Sequence, residues 1–314
     1  MSKYFKINFA KASDTNRVVV EWMLTSICNY RCSYCPPRLH DGRVRFPDSG
    51  LVMRFNERVI EYYKNKEVTF LFTGGEPTLY PKLLEVAEHA RSRGARVAIL
   101  SNASRSLSWW TKALEHIDQV IFSYHYQEVD REHFIALTAF IARNVPVQVN
   151  LVMHPDVFDT CLDVAHEIKD RASNVIVHYK PLLNNWKKLV SYDPSAETIL
   201  RKLNQATVDA ERSEQTTFLR GNLRRYSLDG TSDLVTPTEI ILNGENQWTG
   251  WNCSIGVETL FVRWDEVYRG VCRVGGLVGS IYDDDLNFPD APVVCDQNSC
   301  NCIAGIKACK ELPR

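Results

Sequence analysis

The sequence predicts an α/β fold, a partial barrel of parallel strands joined by helices, with a small cysteine-rich C-terminal extension. Apolar runs that are typical of strands alternate with segments whose apolar residues recur at helical spacing. The predicted strands are Val18–Leu24, Val68–Phe72, Ala95–Leu100, Gln119–Phe122, Val145–Val152 and Asn174–Tyr179. The predicted helices include Leu79–Arg93 and Val157–Arg171. Strands that are apolar along their whole length need cover on both faces. Right-handed crossovers arrange such units as an open or partial barrel, although a doubly wound sheet also fits.

A different pattern begins after about residue 181. Ser195–Ser213 has helical spacing, whereas Arg220–Glu239 is polar and is expected to form loops. Farther along, Gly256–Arg263 and Glu266–Val271 are expected to pair as a hairpin. We therefore predict a barrel domain at residues 1–235 and a small cysteine-rich domain at residues 236–314.

The composition excludes several classes of protein. Of the 314 residues, 45% are hydrophobic and 24% charged, which is typical of a globular chain and not of a disordered, collagen-like or coiled-coil one. The net charge of −1 provides no basic excess for nucleic acid or an anionic membrane. The first 17 residues lack the apolar segment of a signal peptide, and no apolar run approaches a membrane span. We therefore expect a cytoplasmic protein that binds neither nucleic acid nor membranes.

Cysteine is the unusual feature of the composition. Ten cysteines without a secretion signal are expected to be reduced, and their clustering indicates metal or redox chemistry. Cys28, Cys32 and Cys35 follow the first predicted strand with the spacing Cys-x3-Cys-x2-Cys. Three thiolates leave one iron of a four-iron four-sulfur cluster open to an exogenous ligand. Zinc with four protein ligands is the alternative, and His40 is a nearby candidate for the fourth.

A glycine pair follows the second predicted strand, in the turn Thr73–Pro77 (TGGEP). Two glycines let the backbone approach a ligand closely, and exposed amides and carbonyls can hold a zwitterion. In a βα fold this turn and the cysteine loop both lie at the carboxyl ends of strands, where ligands bind. Two motifs at one rim are much more specific than either motif alone.

These motifs resemble those of radical S-adenosylmethionine enzymes. Cys28–Cys35 (CNYRCSYC) carries the family's Cys-x3-Cys-x2-aromatic-Cys signature, and TGGEP carries its methionine-binding turn. The resemblance implies a partial (β/α)6 barrel over residues 17–181, with a four-iron four-sulfur cluster and S-adenosylmethionine as cofactors. The cofactor contacts that it implies are Tyr34 at the adenine, Gly74, Gly75 and Glu76 at the methionine amino group, Ser101 and Asn102 at the ribose and carboxylate, and Ser123 and Asn150 at the cofactor-facing rim.

The C-terminal cysteines resemble the "twitch" variant of the SPASM extension found in many of these enzymes. Such extensions place a cysteine on either side of a hairpin, here Cys253 and Cys272, and further cysteines after a gap. The resemblance implies one auxiliary four-iron four-sulfur cluster, whose other two ligands come from Cys295, Cys300 and Cys302 in a combination that the sequence leaves open. Zinc is the rival metal for this site, because thiolates suit either. Two cysteines are expected to bind no metal: Cys309, a spare thiol in a last helical stretch, and Cys161, a core thiol.

Substrate contacts are expected from side chains at the strand ends. The candidates are Tyr124, His125, Tyr126, His154, His178, Tyr179 and Lys180. Of these we select His125 as a general acid or base and Lys180 as a partner for a carboxylate or phosphate.

The resemblance implies an enzyme that reductively cleaves S-adenosylmethionine to a 5′-deoxyadenosyl radical, which abstracts hydrogen from a substrate carbon. It also implies a one-electron reductant such as flavodoxin or ferredoxin. The substrate is a ribosomally made peptide or a small molecule. The 17 residues before the first predicted strand are few for a leader-binding domain and argue mildly against one. The alternative of a different class is a non-catalytic zinc or iron–sulfur scaffold.

Overall fold

The computed structural model describes residues 3–184, 188–212 and 219–313. The strands, in chain order, are β1 (Tyr4–Phe9), β2 (Arg17–Met23), β3 (Glu67–Thr73), β4 (Arg96–Ser101), β5 (Gln119–Tyr124), β6 (Val147–Met153), β7 (Ile176–Pro181), β8 (Leu183–Asn184), β9 (Lys188–Leu189), β10 (Leu223–Ser227), β11 (Ser232–Val235), β12 (Asn252–Cys253), β13 (Thr259–Arg263), β14 (Glu266–Tyr268), β15 (Leu277–Ser280), β16 (Val293–Val294) and β17 (Lys310–Glu311). The helices are α1 (Ser49–Tyr62), α2 (Leu83–Ser92), α3 (Leu107–Ala113), α4 (Arg131–Ile141), α5 (Phe158–Arg171), α6 (Pro194–Arg212), α7 (Pro237–Leu242) and α8 (Ile303–Ile306).

The larger sheet is a partial (β/α)6 barrel, as the sequence predicts. Strands β2 to β7 lie side by side in chain order, and each runs parallel to the next. Helices α1 to α5 connect successive strands, and α6 follows β7. A doubly wound sheet would reverse its strand order at one point. The order here never reverses, so the barrel interpretation is confirmed.

Alternate residues of each barrel strand face the helices or the barrel lumen, because side chains alternate along a strand. On β2, Val18, Val20 and Trp22 are fully buried in the core beneath the helices. Val19 and Glu21 of the same strand line the lumen. Burying an apolar side chain of this size contributes about 1.5–3 kcal/mol, so the apolar positions fix the register of the strand.

The predicted helical stripes also face this core. The buried residues are Leu83, Val86, Ala87 and Ala90 on α2, and Cys161, Val164, Ala165 and Ile168 on α5. Cys161 is fully buried, and burial raises the pKa of its thiol to about 11. It is therefore a core thiol, as predicted.

Each of the six predicted barrel strands coincides with an observed strand, with ends that differ by at most two residues. The predicted helix Leu79–Arg93 is shorter in the structure, because a separate 3-10 turn at Pro77–Leu79 precedes α2. Helix α6 matches the prediction for Ser195–Ser213, of which Ser213 lies outside the described residues. No helix in the described part of the chain is long and apolar enough to cross a membrane.

The C-terminal region is interleaved with both sheets. Strand β13 lies parallel to β2 at the edge of the barrel, and β14 and β15 continue that sheet in antiparallel fashion. The predicted hairpin is thus present as β13 and β14. A second sheet has the order β11-β10-β1-β17-β12-β16 and joins strands from both ends of the chain. The boundary at residue 235 stays a prediction.

Two expectations about loops are wrong. The segment Arg220–Glu239 contains β10, β11 and the start of α7. The arginines obscure the alternation of apolar and polar residues that is typical of a strand. Arg225 is buried despite its charge, because it forms hydrogen bonds with Asp233 and Glu245. The residues before β2 also include a strand, β1, which pairs with β10 and β17.

Candidate active site

The cysteine loop follows β2 at the carboxyl end of the barrel. Cys32 is buried, and Cys28 and Cys35 are half-buried. Burial raises the pKa of the Cys28 thiol, and burial together with the neighbouring cysteines raises that of Cys35 to about 12. The pKa of Cys32 is raised to about 11. A bound metal would supply the positive charge that turns these thiols into thiolate ligands.

The glycine turn is bonded directly to the backbone of this loop. The amide of Gly75 donates to the carbonyl of Thr25, and the amide of Glu76 donates to that of Ile27, each at 2.8 Å. A Cβ atom on Gly75 would lie 2.2 Å from the Ile27 carbonyl oxygen. Gly74 has φ +134°, a conformation that favours glycine. The expectation of exposed amides is therefore wrong for Gly75 and Glu76, and the carbonyls of the turn are the groups left to accept from an ammonium.

Glu76 joins this turn to the end of β4. Its buried carboxylate accepts hydrogen bonds from the hydroxyl of Ser101 at 2.9 Å and from the amide of Asn102 at 2.7 Å. It also accepts from the amide and the hydroxyl of Thr78, at 3.0 and 2.6 Å. Asn102 in turn donates through Nδ2 to Asn29 of the cysteine loop at 2.9 Å. Glu76 therefore positions residues predicted to contact the cofactor, and its direct contact with the cofactor stays a prediction.

Tyr34 lies in a group of aromatic rings contributed by three strand ends. Its ring stacks with those of His125 and Tyr126, at centroid distances of 6.0 and 5.9 Å. The ring of His154 lies 5.1 Å from that of Tyr126. The Tyr34 hydroxyl is 3.0 Å from Nδ1 of His125. An aromatic ring has two faces, so Tyr34 can stack on these rings and still offer a face to an adenine.

Burial lowers the pKa of His125 to about 4. The imidazole is therefore neutral at pH 7 and can accept the hydrogen bond of the Tyr34 hydroxyl through Nδ1. A general-acid role would require a proton that this environment disfavours. The catalytic assignment of His125 stays a prediction.

The barrel lumen contains a cavity of about 190 Å³. Asn150 and Lys180 line it, and Ser123 pairs in register with Asn150 on the neighbouring strand. Tyr124 and Tyr179 point the other way and belong to the core beneath the helices. Their selection as substrate residues is therefore wrong, because neighbouring residues of a strand face opposite sides.

The C-terminal cysteines separate into two groups. Cys253, Cys272, Cys295 and Cys300 line one small cavity together with Trp248 and Lys310. Cys302 lines the barrel lumen instead. Gly305 borders both cavities, and a Cβ atom on it would lie 3.3 Å from Sγ of Cys300 and 4.0 Å from Sγ of Cys302. The four-cysteine cavity and the lumen are thus adjacent.

A buried lysine supports the fit of this cavity to an anionic thiolate centre. Lys310 Nζ donates to the carbonyls of Gly305, Ile306 and Ala308, at 2.6, 3.0 and 2.8 Å. Burial raises the pKa of the Cys300 thiol to about 12, and the charge of Lys310 opposes that shift. A positive charge beside thiolates reduces the cost of gathering them.

Two further side chains named in the sequence have hydrogen-bond contacts. Nε2 of His40 lies 3.3 Å from the carbonyl oxygen of Cys35, to which it can only donate, so Nδ1 is the nitrogen that could bind a metal. Cys309 lies beyond α8, outside the predicted helical stretch, and its Sγ is 2.9 Å from Oδ1 of Asn8. Within residues 3–184, 188–212 and 219–313, no three His, Cys, Asp or Glu side chains are gathered closely enough to hold a single metal ion.

The fold and site together are a parallel partial barrel with three thiols in one strand-end loop and a glycine turn bonded to that loop, an arrangement that suits an iron–sulfur barrel enzyme. Residues 22–146 match the family model described as the Radical SAM superfamily. This stretch of the chain is thus similar to the superfamily, and the similarity implies S-adenosylmethionine and a four-iron four-sulfur cluster as cofactors.

Two curated relatives illustrate the range of the superfamily. Fe-coproporphyrin III synthase of Methanosarcina barkeri is 28% identical over 103 residues, which are 33% of this chain and 25% of that protein. GTP 3′,8-cyclase 2 of Mycobacterium tuberculosis is 29% identical over 211 residues, which are 57% of this chain and 55% of that protein. The chain spans about a quarter of the first relative and about half of the second.

A solved structure shares the fold over a longer stretch. Streptococcus suis SuiB bound to S-adenosylmethionine superimposes with a TM-score of 0.58 and covers 87% of this chain and 66% of its own. The sequence identity is 14%, so the likeness is one of fold.

Sequence reasoning missed Glu21, which lines the lumen opposite Lys180. The signal was present, because Glu21 is the charged residue of the run VVVEWML and sits two positions from Val19 and from Met23. In a strand this spacing places it on the same face as those residues, which is the lumen face.

Proposed function

We propose that this protein cleaves S-adenosylmethionine reductively and abstracts hydrogen from a substrate carbon. The bound cofactors would supply the electron and the 5′-deoxyadenosyl radical. The pair of 2.8 Å hydrogen bonds between the glycine turn and the cysteine loop carries the proposal, because it fixes the three thiols and the predicted methionine site relative to each other.

The chain's own residues divide the work of holding the cofactors. Cys28, Cys32 and Cys35 supply three ligands and leave a fourth position to the cofactor. The carbonyls of Gly74 and Gly75 accept from its ammonium. Ser101, Asn102, Ser123, Asn150 and Tyr34 are the further proposed contacts, and Glu76 holds the first two of them in place. Preorganised contacts of this kind lower the barrier because they need no rearrangement during the reaction.

We propose that Cys253, Cys272, Cys295 and Cys300 hold a second metal centre in the domain of residues 236–314. The cavity that they line measures about 10 Å³, room for one atom, so a four-iron cluster would require these side chains to move apart. The resemblance to the twitch extension favours the cluster, and zinc is the rival because thiolates suit either metal. Iron and zinc contents decide between them.

The experiment is anaerobic reconstitution with iron and sulfide, followed by metal analysis and an assay for 5′-deoxyadenosine after reduction with dithionite. About eight irons with nucleoside formation would support both sites as iron–sulfur centres. About four irons with one zinc would keep the reaction and assign zinc to the second site. Zinc without nucleoside would contradict the proposal and favour the non-catalytic scaffold.

Matched variants test each assignment. Cys28→Ser should abolish nucleoside formation and remove about four irons, whereas Cys309→Ser should change neither. Cys295→Ser and Cys300→Ser should lower the metal content of the second site, and Cys302→Ser should leave it intact. Loss of metal in Cys302→Ser alone would contradict the assignment of the four cysteines.

The reductant and the substrate belong to the same proposal. A flavodoxin or ferredoxin would deliver single electrons to the cluster held by Cys28, Cys32 and Cys35. SuiB has also been crystallised with its precursor peptide SuiA, and the Mycobacterium relative carries the name of a GTP cyclase. A peptide and a small molecule are therefore both candidate substrates at this level of likeness.

A further inference from the structure

The barrel lumen contains two oppositely charged side chains that interact electrostatically but form no direct hydrogen bond or ion pair among the described residues. Glu21, on β2, and Lys180, on β7, both line the 190 Å³ cavity. Among the described residues, neither the Glu21 carboxylate nor the Lys180 ammonium makes a hydrogen bond, and they do not form an ion pair with each other within 4.0 Å. Charged groups in protein interiors are normally paired, because an uncompensated charge away from water is costly.

Both side chains have accessible surface, yet both are removed from bulk water. Burial raises the pKa of Glu21 to about 7 and lowers that of Lys180 to about 8. The surface that they expose therefore faces the cavity. A carboxylate and an ammonium that line one cavity without a direct ion pair are suited to a ligand that carries one positive and one negative charge.

Other titratable groups face the same space. Lys307 donates to the carbonyl of Arg220, and Cys302 lies on the same wall. His178 precedes Lys180 on the lumen side of β7, and burial lowers its pKa, so its imidazole is neutral. Glu21 and Lys180 thus remain the two charged groups of this set that attract each other without a direct hydrogen bond to any described residue.

The cavity is closed at the amino ends of the strands. Arg220 donates to the carbonyl of Arg17, the first residue of β2, and Leu219 donates to the side chain of Gln119, the first residue of β5. Lys307 then caps Arg220. The cysteine loop lies at the opposite, carboxyl ends of the strands. A volume of 190 Å³ is below the usual range for ligand pockets, about 300–1,000 Å³, so it suits a group the size of one amino acid.

We propose that the lumen binds a small zwitterionic substrate, with its ammonium on Glu21 and its carboxylate on Lys180. This inference rests on the proposed function and narrows its substrate class to small molecules of amino-acid type. It also explains why Lys180 alone is an incomplete prediction: an anion on Lys180 would leave the Glu21 charge uncompensated, and a cation on Glu21 would do the same to Lys180.

The test is equilibrium dialysis of radiolabelled ligands against the anaerobically reconstituted holoprotein with S-adenosylmethionine. The zwitterions glycine, β-alanine, γ-aminobutyrate and 5-aminovalerate vary the distance between the two charges. Butyrate and butylamine carry one charge each. One zwitterion is expected to bind at least about 10-fold more tightly than either single-charge compound, because each charge-assisted hydrogen bond is worth about a decade or more in affinity.

Variants locate the binding. Glu21→Gln and Lys180→Met should each weaken that zwitterion about 10- to 100-fold. Glu61→Gln and Lys64→Met carry the same substitutions at an exposed ion pair at the end of α1 and just beyond it, and both should bind like the wild type. Binding by butyrate equal to that of every zwitterion, or equal binding by wild type and both lumen variants, would overturn the inference.

The two proposals fail separately. Nucleoside formation by the wild type without zwitterion binding would be consistent with the proposed function and would contradict the proposed substrate class. Zwitterion binding without any nucleoside formation would retain the lumen site and contradict the proposed reaction.

Discussion

The contact between the glycine turn and the cysteine loop is tested by Gly75→Ala. The new Cβ atom would meet the Ile27 carbonyl oxygen at 2.2 Å and the Leu39 carbonyl oxygen at 3.0 Å, whereas ordinary contact begins at 3.4 Å. Both neighbours are backbone atoms, so no side chain can rotate away. The cysteine loop must then retreat by about 1 Å, at a cost of about 1–3 kcal/mol in stability.

The functional cost follows from that displacement. A misplacement of about 1 Å can lower a rate by about 100-fold, because the reacting groups lose their alignment. We expect 5′-deoxyadenosine formation at saturating S-adenosylmethionine to fall by about this factor. Liquid chromatography with mass spectrometry measures the nucleoside, metal analysis follows cluster loading, and thermal unfolding follows stability.

Gly50→Ala is the matched control. Its Cβ atom would meet Oδ1 of the N-cap residue Asp48 at 3.2 Å, which needs to shift by only a few tenths of an ångström, and the position lies in the first turn of α1. We expect wild-type activity and unchanged or slightly higher stability. A Gly75→Ala protein with wild-type iron content and wild-type nucleoside rate would refute the close approach.

The remaining predictions concern buried charge. Binding of the preferred zwitterion should be strongest between about pH 7 and 8, because Glu21 must lose its proton and Lys180 must keep its own. In Glu21→Gln, the loss of binding at lower pH should disappear from the pH profile. Lys310→Met should lower the free energy of unfolding by about 2–3 kcal/mol, because three buried carbonyls lose their donor, and chemical denaturation measures this change. Glu76→Gln should raise the KM for S-adenosylmethionine and destabilise the fold by about 2–3 kcal/mol, because it places an amide against groups that all donate hydrogen bonds to the carboxylate. An equal loss of stability in the exposed Glu61→Gln variant would contradict that reasoning.

The barrel could be predicted from the sequence because its strands are buried on both faces. In a run such as VTFLF at Val68–Phe72, neither face of the strand is polar enough to lie in solvent. Strand β3 is accordingly buried along almost its whole length. The same clarity is missing from β10, where the buried positions of LRRYS are Leu223, Arg225 and Ser227, so a charged residue stands on the buried face. Hydropathy cannot reveal an ion pair that neutralises a buried charge.

The choice among the last cysteines could not be made from spacing. Cys300 and Cys302 are two residues apart in a stretch without a helix or strand, so no periodicity orients them. Asn246, distant in the chain, fixes Cys300: its carbonyl accepts from the Cys300 amide at 2.8 Å, and its Nδ2 donates to the Cys300 carbonyl at 3.1 Å. A contact of this range is set by tertiary structure alone.

The pairing of β1 with β17 has a consequence for biosynthesis. Lys6 and Ile7 pair with Glu311 and Lys310, so β1 is synthesised about three hundred residues before the strand with which it pairs. Such long sequence separation slows folding and leaves edges exposed while the nascent polypeptide emerges. The four-cysteine cavity includes Lys310 from the same late segment, so its lining is complete only after that segment has been synthesised.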